Sequence, residues 1–311
     1  MAIEYDILTH PLPPRFVEWY PYAQPSVMLP DNAHWLDSMQ RAIGDRMPGV
    51  VHHFSAARDT ETDAYVGVAW LGLSPAMPEV AHFGWFLVEE DHRGMGIGRE
   101  VLDRALGFLD KRGVKIVMLP TRLSTIHARG MYGRRGFVDL IAEQETGKCW
   151  MIRGDEKHFD SYFVAHGSVS ISPMGYGDWF AFDYLLNHGR VISRLYPVGL
   201  TGERRALSLT RASEWGTGIE ELAIRRGSRM CGFILIKSDQ ADFYTPDEEL
   251  AEEAVRYLTS RAGKARQIVT AARDEMKTAA VRDSGMTQAR TFRERPFGRS
   301  DEEEFILWRT G

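Results

Sequence analysis

The stretch Arg93-Gly94-Met95-Gly96-Ile97-Gly98-Arg99 has residue types and spacing suited to holding an anion. It follows an apolar run from Glu79 to Val88 and precedes Val101, Leu102, Ala105, Phe108 and Leu109, which recur at helical spacing. The glycines therefore join a strand to the start of a helix. Backbone N–H groups and the positive end of a helix dipole converge at such a turn and favour a phosphate. Glycine lets the backbone approach closely in conformations other residues avoid, and Arg93 and Arg99 place a cation on each side. The dinucleotide fingerprint GxGxxG fails because position 99 is Arg, and no GxxxxGK is present, so Rossmann and P-loop readings are set aside.

The elements around this loop are mixed. A strand at Ile3–Leu8, an aromatic and proline-punctuated stretch, and a helix from about Ala33 to Ile43 come first. Strands at Val50–Ala57, Ala64–Leu73 and Glu79–Val88 follow as a meander, with a polar turn at residues 59–63. After the glycine loop and its helix come a strand at Lys115–Leu119, a short helix at Ala128–Arg135 ended by Gly136, and a hairpin from Phe137 paired with Lys148–Ile152. The polar residues 153–157 mark a boundary, giving domains at 1–154 and 155–311.

The second half repeats the running order. A helix at Trp179–Leu186 precedes strands near Ala206–Thr210, Glu221–Arg225 and Cys231–Lys237. A long helix from Pro246 to about Ser260, a strand at Gln267–Ala272, a short helix ending at Gly285 and a strand at Phe305–Trp308 complete it. The ends rhyme, Trp150-Met151-Ile152-Arg153-Gly154 against Trp308-Arg309-Thr310-Gly311, which reads as a divergent duplication.

Composition sets the class. The chain has 311 residues, 44% of them hydrophobic and 26% charged, so it can build real cores and is neither disordered nor low in complexity. A net charge of -5 argues against a bulk polyanion partner such as nucleic acid. Two distant cysteines, Cys149 and Cys231, fit neither a metal-ligand spacing nor a disulfide framework and read as free thiols. The N-terminus lacks a basic and apolar leader, and no apolar run nears the roughly 18 residues that span a bilayer. The expectation is a cytoplasmic protein without metal, nucleic-acid or membrane partners.

The glycine loop, in its strand-loop-helix setting, resembles the pyrophosphate arm of the GCN5-related N-acetyltransferase (GNAT) superfamily, whose pattern is Gln or Arg, two residues, Gly, one residue, Gly or Ala. Residues 128–137, Ala-Arg-Gly-Met-Tyr-Gly-Arg-Arg-Gly-Phe, resemble a second element of that family, Ala-x-x-apolar-Tyr-x-x-x-Gly-Phe. The resemblance covers residues 1–152 by motif and the second half by element order. It implies an α/β (α+β) fold of two tandem GNAT-like domains, each a mixed, mostly antiparallel sheet flanked by helices. It also implies acetyl-CoA, or another acyl-CoA, held by Leu87, Val88, Arg93, Gly94, Met95, Gly96, Ile97, Gly98, Arg99 and Ser124. Ser124 or Thr125 stands where the family often has Asn.

Acyl transfer to an amine requires a base, because an ammonium with a pKa near 10 must lose a proton before attack. The resemblance points to His82, eleven residues before Arg93, with Glu79 in reserve. Period-two alternation sets His82 on one side with Gly84, Phe86 and Val88. By the same resemblance Tyr132 is the acid for the departing thiolate, and a backbone N–H of the strand ending at Val88 stabilises the oxyanion. Arg129, Arg134 and Arg135 read either as a solvated helix face or as partners of the adenosine 3′-phosphate or an acidic substrate.

In the second half, Pro246-Asp247-Glu248-Glu249 replaces the glycine arm and Val281 stands where Tyr132 would, so that half is expected to be degenerate. The function expected is an N-acetyltransferase acting on a primary amine of a small molecule by direct transfer in a ternary complex, with homodimerisation open. The alternatives are a non-catalytic acyl-CoA-binding module and a malonyl thioester decarboxylase on the same fold.

Overall fold

The computed structural model describes residues 2–23, 33–143, 147–155, 157, 161–163, 166–187, 219–260, 267–294 and 302–310. The chain divides into two compact units, Met1–Glu156 and Lys157–Gly311. In the first unit β1 (Ile3–Thr9), β2 (Val51–Asp59), β3 (Ala64–Ser74) and β4 (Met77–Val88) form an antiparallel meander. β5 (Ile116–Arg122) runs parallel to β4, and β6 (Phe137–Glu143) and β7 (Lys148–Arg153) complete the sheet in the order β1-β2-β3-β4-β5-β7-β6.

The helices are α1 (Pro14–Trp19), α2 (Ala33–Ile43), α3 (Ile97–Lys111) and α4 (Ile126–Gly133). Helix α3 buries Val101, Leu102, Ala105, Leu106 and Leu109, its apolar stripe, against Ala57, Leu71, Ala81, Phe83, Val117 and Leu119 of the sheet. Each fully buried aliphatic or aromatic side chain there stabilises by about 1.5–3 kcal/mol. The opposite face carries an aromatic layer in which Phe16 and Tyr20 meet Phe54 at centroid separations of 5.1 and 5.6 Å.

The second unit contains α5 (Trp179–Asn187), α6 (Glu248–Ser260), α7 (Glu275–Asp283) and strands β8 (Val169–Pro173), β9 (Ile219–Arg226), β10 (Arg229–Lys237), β11 (Gln240–Tyr244), β12 (Gln267–Ala271), β13 (Thr287–Glu294) and β14 (Glu303–Arg309). Its sheet order, β8-β9-β10-β11-β12-β14-β13, repeats the first, including one parallel pair at the centre, β11 with β12. Among the described residues no helix is long and apolar enough to cross a membrane.

Several elements depart from the periodicity. Pro13 and Pro14 read as punctuation, yet proline at a first helical position begins α1. Strand β13 is exposed along nearly its whole length and offers no alternation to read, while β8 and β11 are five residues each. The strand expected at Ala206–Thr210 lies outside the described residues. The rhyme of the two ends is not a structural equivalence. Thr125 N donates to Arg122 O as Asp274 N donates to Ala271 O, each closing the turn into the short helix that follows, which matches Arg122 with Ala271. Arg122 pairs with Lys148 and Ala271 with Phe305, so Trp308 stands one residue beyond the counterpart of Trp150.

Asp242 of β11 directly follows the last residue paired with β12, Ala241. Its carboxylate is 2% exposed and accepts from the Lys277 ammonium of α7, 4% exposed, with the Phe243 ring 5.0 Å away. A buried charge that loses its partner costs far more than the pair contributes. Lys277→Met is expected to lower unfolding stability by about 3–5 kcal/mol in urea melts, and Lys277→Met/Asp242→Leu to restore most of it. A single-variant loss below about 1 kcal/mol would mean that the pair is solvated in the folded protein.

Candidate active site

After His82↔Met118 the ladder between β4 and β5 ends, and the two strands separate. Pro120, which has no N–H to give, follows in β5 where no β4 partner remains to need one. Between the diverging strands lies a cleft of about 1020 Å³. Phe86, Leu87 and Val88 of β4 line it, with the glycine loop, the first turn of α3, Ser124, Thr125 and α4.

Gly94 and Gly96 are left-handed, with φ of +81° and +84°. A Cβ at Gly94 would meet nothing within 4 Å, so backbone conformation and not space demands glycine there. At Gly98 the demand is space: a Cβ would come within 3.2 Å of Phe86 Cζ and 3.3 Å of Val88 Cγ2, so glycine allows α3 to sit close on β4. Gly96 is the N-cap of α3 and brings no side chain to it, leaving the first-turn N–H groups open toward the cleft. Arg93 is oriented by its own Nε donating to Val88 O at 3.0 Å.

The charges around this opening are of one sign. Arg93, Arg99, Arg134 and Arg135 line it, with His92 and His127, and no Asp or Glu is among its described lining residues. Arg135 is held by both carboxylate oxygens of Asp103, at 2.5 and 2.9 Å, a strut from the turn after α4 to α3. Arg129 pairs with Asp139 and does not line the cleft, whereas Arg99 and Arg134 have no carboxylate partner among the described residues. The two hydroxyls also separate: Thr125 Oγ1 donates to Arg122 O and meets Thr121 Oγ1, leaving Ser124 facing the cleft.

Of the residues expected to bind the cofactor, Leu87, Val88, Arg93, Gly94, Gly96, Ile97, Gly98, Arg99 and Ser124 line this cleft. Met95 does not; its side chain is 55% exposed outside the lining. Tyr132 lies behind the wall, buried against Phe83, Phe86 and Phe137, and burial raises its pKa well above the usual tyrosine range. Arg134, weighed in the sequence as a partner of the adenosine 3′-phosphate, also lines the cleft, as do Phe86, His127 and Met131, which were not anticipated. Their signal was the shared strand and helix rather than a motif.

His82 departs furthest from expectation. It is fully buried between Trp70 and Trp150, with centroids 5.5 and 5.8 Å away, and is absent from the cleft lining. The alternation fails at a bulge: on β3 one residue separates Val68 from Trp70, while on β4 two separate Gly84 from Leu87. The extra residue, Trp85, has a φ of +45°, a conformation that costs a bulky side chain about 1–2 kcal/mol. It reverses the parity of the strand. Phe83, Phe86 and Val88 face α3, and His82 and Gly84 face away. Burial lowers the His82 pKa to about 3. Glu79, the reserve base, pairs with Lys115 at the other end of β4, also outside the cleft.

The second unit closes the corresponding places. The buried set Leu250, Ala251, Ala254, Val255 and Leu258 of α6 repeats the spacing of Val101, Leu102, Ala105, Leu106 and Leu109 in α3, which sets Thr245 at Gly96 and Asp247 at Gly98. Asp247 accepts from Leu250 N at 3.1 Å, and Thr245 Oγ1 accepts from Asp247 N at 3.3 Å. Arg226 lies against Asp247 and Glu249. An internal carboxylate therefore occupies the helix start. Val281, fully buried, stands where Tyr132 does.

Residues 14–137 match the sequence profile of the acetyltransferase (GNAT) family. No curated protein matches the chain in sequence. Similar solved structures include an acyl-CoA N-acyltransferase from Pseudomonas aeruginosa, with 18% identity over 49% of this chain and 100% of that one and a TM-score of 0.38. The PaiA N-acetyltransferase from Thermoplasma acidophilum in complex with coenzyme A has 14% identity, coverage of 50% and 100%, and a TM-score of 0.37. The ribosomal-protein-S18-alanine N-acetyltransferase from Escherichia coli has 16%, 48% and 93%, and 0.37.

Because His82 binds a proton far less readily folded than unfolded, it opposes folding increasingly as pH falls from about 6.5 toward 3. The expected penalty at pH 5 is at most about 2 kcal/mol relative to pH 7. Denaturant melts should show a smaller loss between pH 7 and 5 in His82→Leu than in the parent protein, and identical losses would mean that His82 charges freely in the fold.

Proposed function

We propose that the first half of the chain, of which residues 14–137 match the acetyltransferase (GNAT) family profile, is a domain of that family, and that the protein transfers an acyl group, acetyl foremost, from acyl-CoA to a primary amine of a small molecule, directly and within a ternary complex. One observation carries the reading. In a chain with a net charge of -5, an uncapped helix start, two left-handed glycines and four arginines face one cleft without a carboxylate among its described lining.

Such a lining suits a pyrophosphate on the N–H groups of residues 96–99, flanked by Arg93 and Arg99, with Arg134 available to a further phosphate. The gap between β4 and β5 is suited to an extended arm carrying the thioester, and N–H groups of β4 beyond the bulge to its carbonyl oxygen. Tyr132, kept protonated by burial, is in this reading a hydrogen-bond donor toward the departing sulfur. A histidine with a pKa of about 3 is a poor base for an ammonium near 10. Seven units correspond to about 9–10 kcal/mol. His82 is therefore assigned to shaping the wall, and the ammonium proton passes to solvent through the cleft mouth. The second half, with its helix start capped by Asp247 and its strand gap holding the Lys277–Asp242 pair, binds no acyl-CoA in this reading.

Thermal and calorimetric titration of the full chain tests this without an acceptor. At a hundredfold excess over its Kd, acetyl-CoA should stabilise the protein by about 2.7 kcal/mol. The titration should give one site per chain. Gly96→Glu, which adds a carboxylate and a disfavoured φ at the helix start, should abolish the effect. Stabilisation surviving in Gly96→Glu would move the site elsewhere, and two sites per chain would refute the silent second half. Free-CoA release with a panel of amines, and product analysis with malonyl-CoA, then separate transfer from binding alone and from decarboxylation.

A further inference from the structure

Among the described residues four besides glycine have positive φ: Asp45, Asp63, Ser238 and Trp85. The first three are small polar residues, and Asp in particular tolerates the left-handed region. Trp85 is a bulky aromatic inside a strand, and such strain persists only where the surroundings impose it. The ladders do not supply the restraint. Trp85 and Phe86 fall between Gly84 and Leu87 in the β3 register, and pairing with β5 has already ended at His82.

The restraint comes from Tyr20, whose hydroxyl donates to Trp85 O at 3.1 Å in a buried setting. Tyr20 is fully buried, its ring seated 5.2 Å from Phe16 and 5.6 Å from Phe54, in the aromatic layer on the face opposite α3. In a planar trans peptide the carbonyl of one residue and the N–H of the next point in opposite directions. With the Trp85 carbonyl held toward the Tyr20 layer, the Phe86 N–H is held toward the face of α3 and α4. That is the face of the cleft, whose wall begins at Phe86.

We infer that Tyr20 is a positioning residue: its hydroxyl fixes the Trp85–Phe86 peptide so that the Phe86 N–H is presented to the carbonyl oxygen of a thioester bound in the cleft. The inference rests on the acyl-CoA reading of that cleft. A donor fixed in advance at the oxygen where negative charge develops needs no reorganisation during the reaction. Tyr20 touches no substrate atom and acts only through the peptide it holds.

Tyr20→Phe keeps the ring and removes the hydroxyl. Calorimetric titration of the full-length parent and variant with acetyl-CoA and with CoA separates the contributions, because CoA has the arm and phosphates but no carbonyl for the N–H to meet. The variant should lose about fivefold in affinity for acetyl-CoA, the worth of one ordinary hydrogen bond, and less than twofold for CoA. Native-state hydrogen exchange in the ligand-free protein should show the Phe86 amide exchanging at least tenfold faster in the variant. Equal weakening toward both ligands, or unchanged affinity and exchange, would overturn the inference while leaving the acyl-CoA reading intact. A parent protein that binds neither ligand would remove that reading, and the inference with it.

Discussion

β4 and β5 are hydrogen-bonded in parallel over Val80–His82 and Ile116–Met118, and the site depends on their separating immediately afterwards. Two parallel strands that stayed paired would bury their backbone groups in each other and leave no room for a ligand between them. Once they part, β4 delivers its last three residues to one side of the gap and the β5–α4 connection delivers Ser124 to the other. The glycine loop lies at the open end. Each side of the opening is braced: Tyr20 holds the bulge of β4, and Arg135 ties the turn after α4 to Asp103 of α3.

The two units show how little of a scaffold needs to change for its site to close. Both sheets have the same strand order and the same short parallel pair at the centre. In the first unit the start of the long helix is left to solvent and ringed by arginine; in the second, Asp247 satisfies it and Arg226 is matched by carboxylates. A helix start offers the same partial positive charge in either case. What differs is whether the chain supplies its own anion. The gap beside β11 is likewise held by a buried lysine and aspartate, a pair whose mutual attraction offsets their desolvation only while both remain.

A strained tryptophan in mid-strand connects the two faces of the first sheet. The aromatic layer under α1 contributes a single hydroxyl at the bulge, and the bulge sets which side chains beyond it reach the cleft. Stability and site geometry are thus coupled through one peptide.

The glycine loop, the helix after it and the apolar strand before it were legible in the sequence because each is a local property: spacing, backbone freedom and helix periodicity act over a few residues. The loop residues singled out in the sequence therefore line the cleft, with Met95 the exception. The carboxylates at the start of α6, where glycines would be, were legible in the same way. The side on which His82 lies was not, since alternation carries no record of a bulge, at which Trp85 packs on Trp70 and its carbonyl accepts from Tyr20. Nor was its burial, which lowers its pKa and removes it from the cleft. The pairing of Arg135 with Asp103, 32 residues away, and of Lys277 with Asp242, 35 away, likewise depends on how helices dock on sheets. The sequence by itself determined the local chemistry of the loop. The tertiary structure decided which neighbouring side chains share its cleft and which are sealed from it, because long-range packing sets strand parity, burial and ion-pair partners.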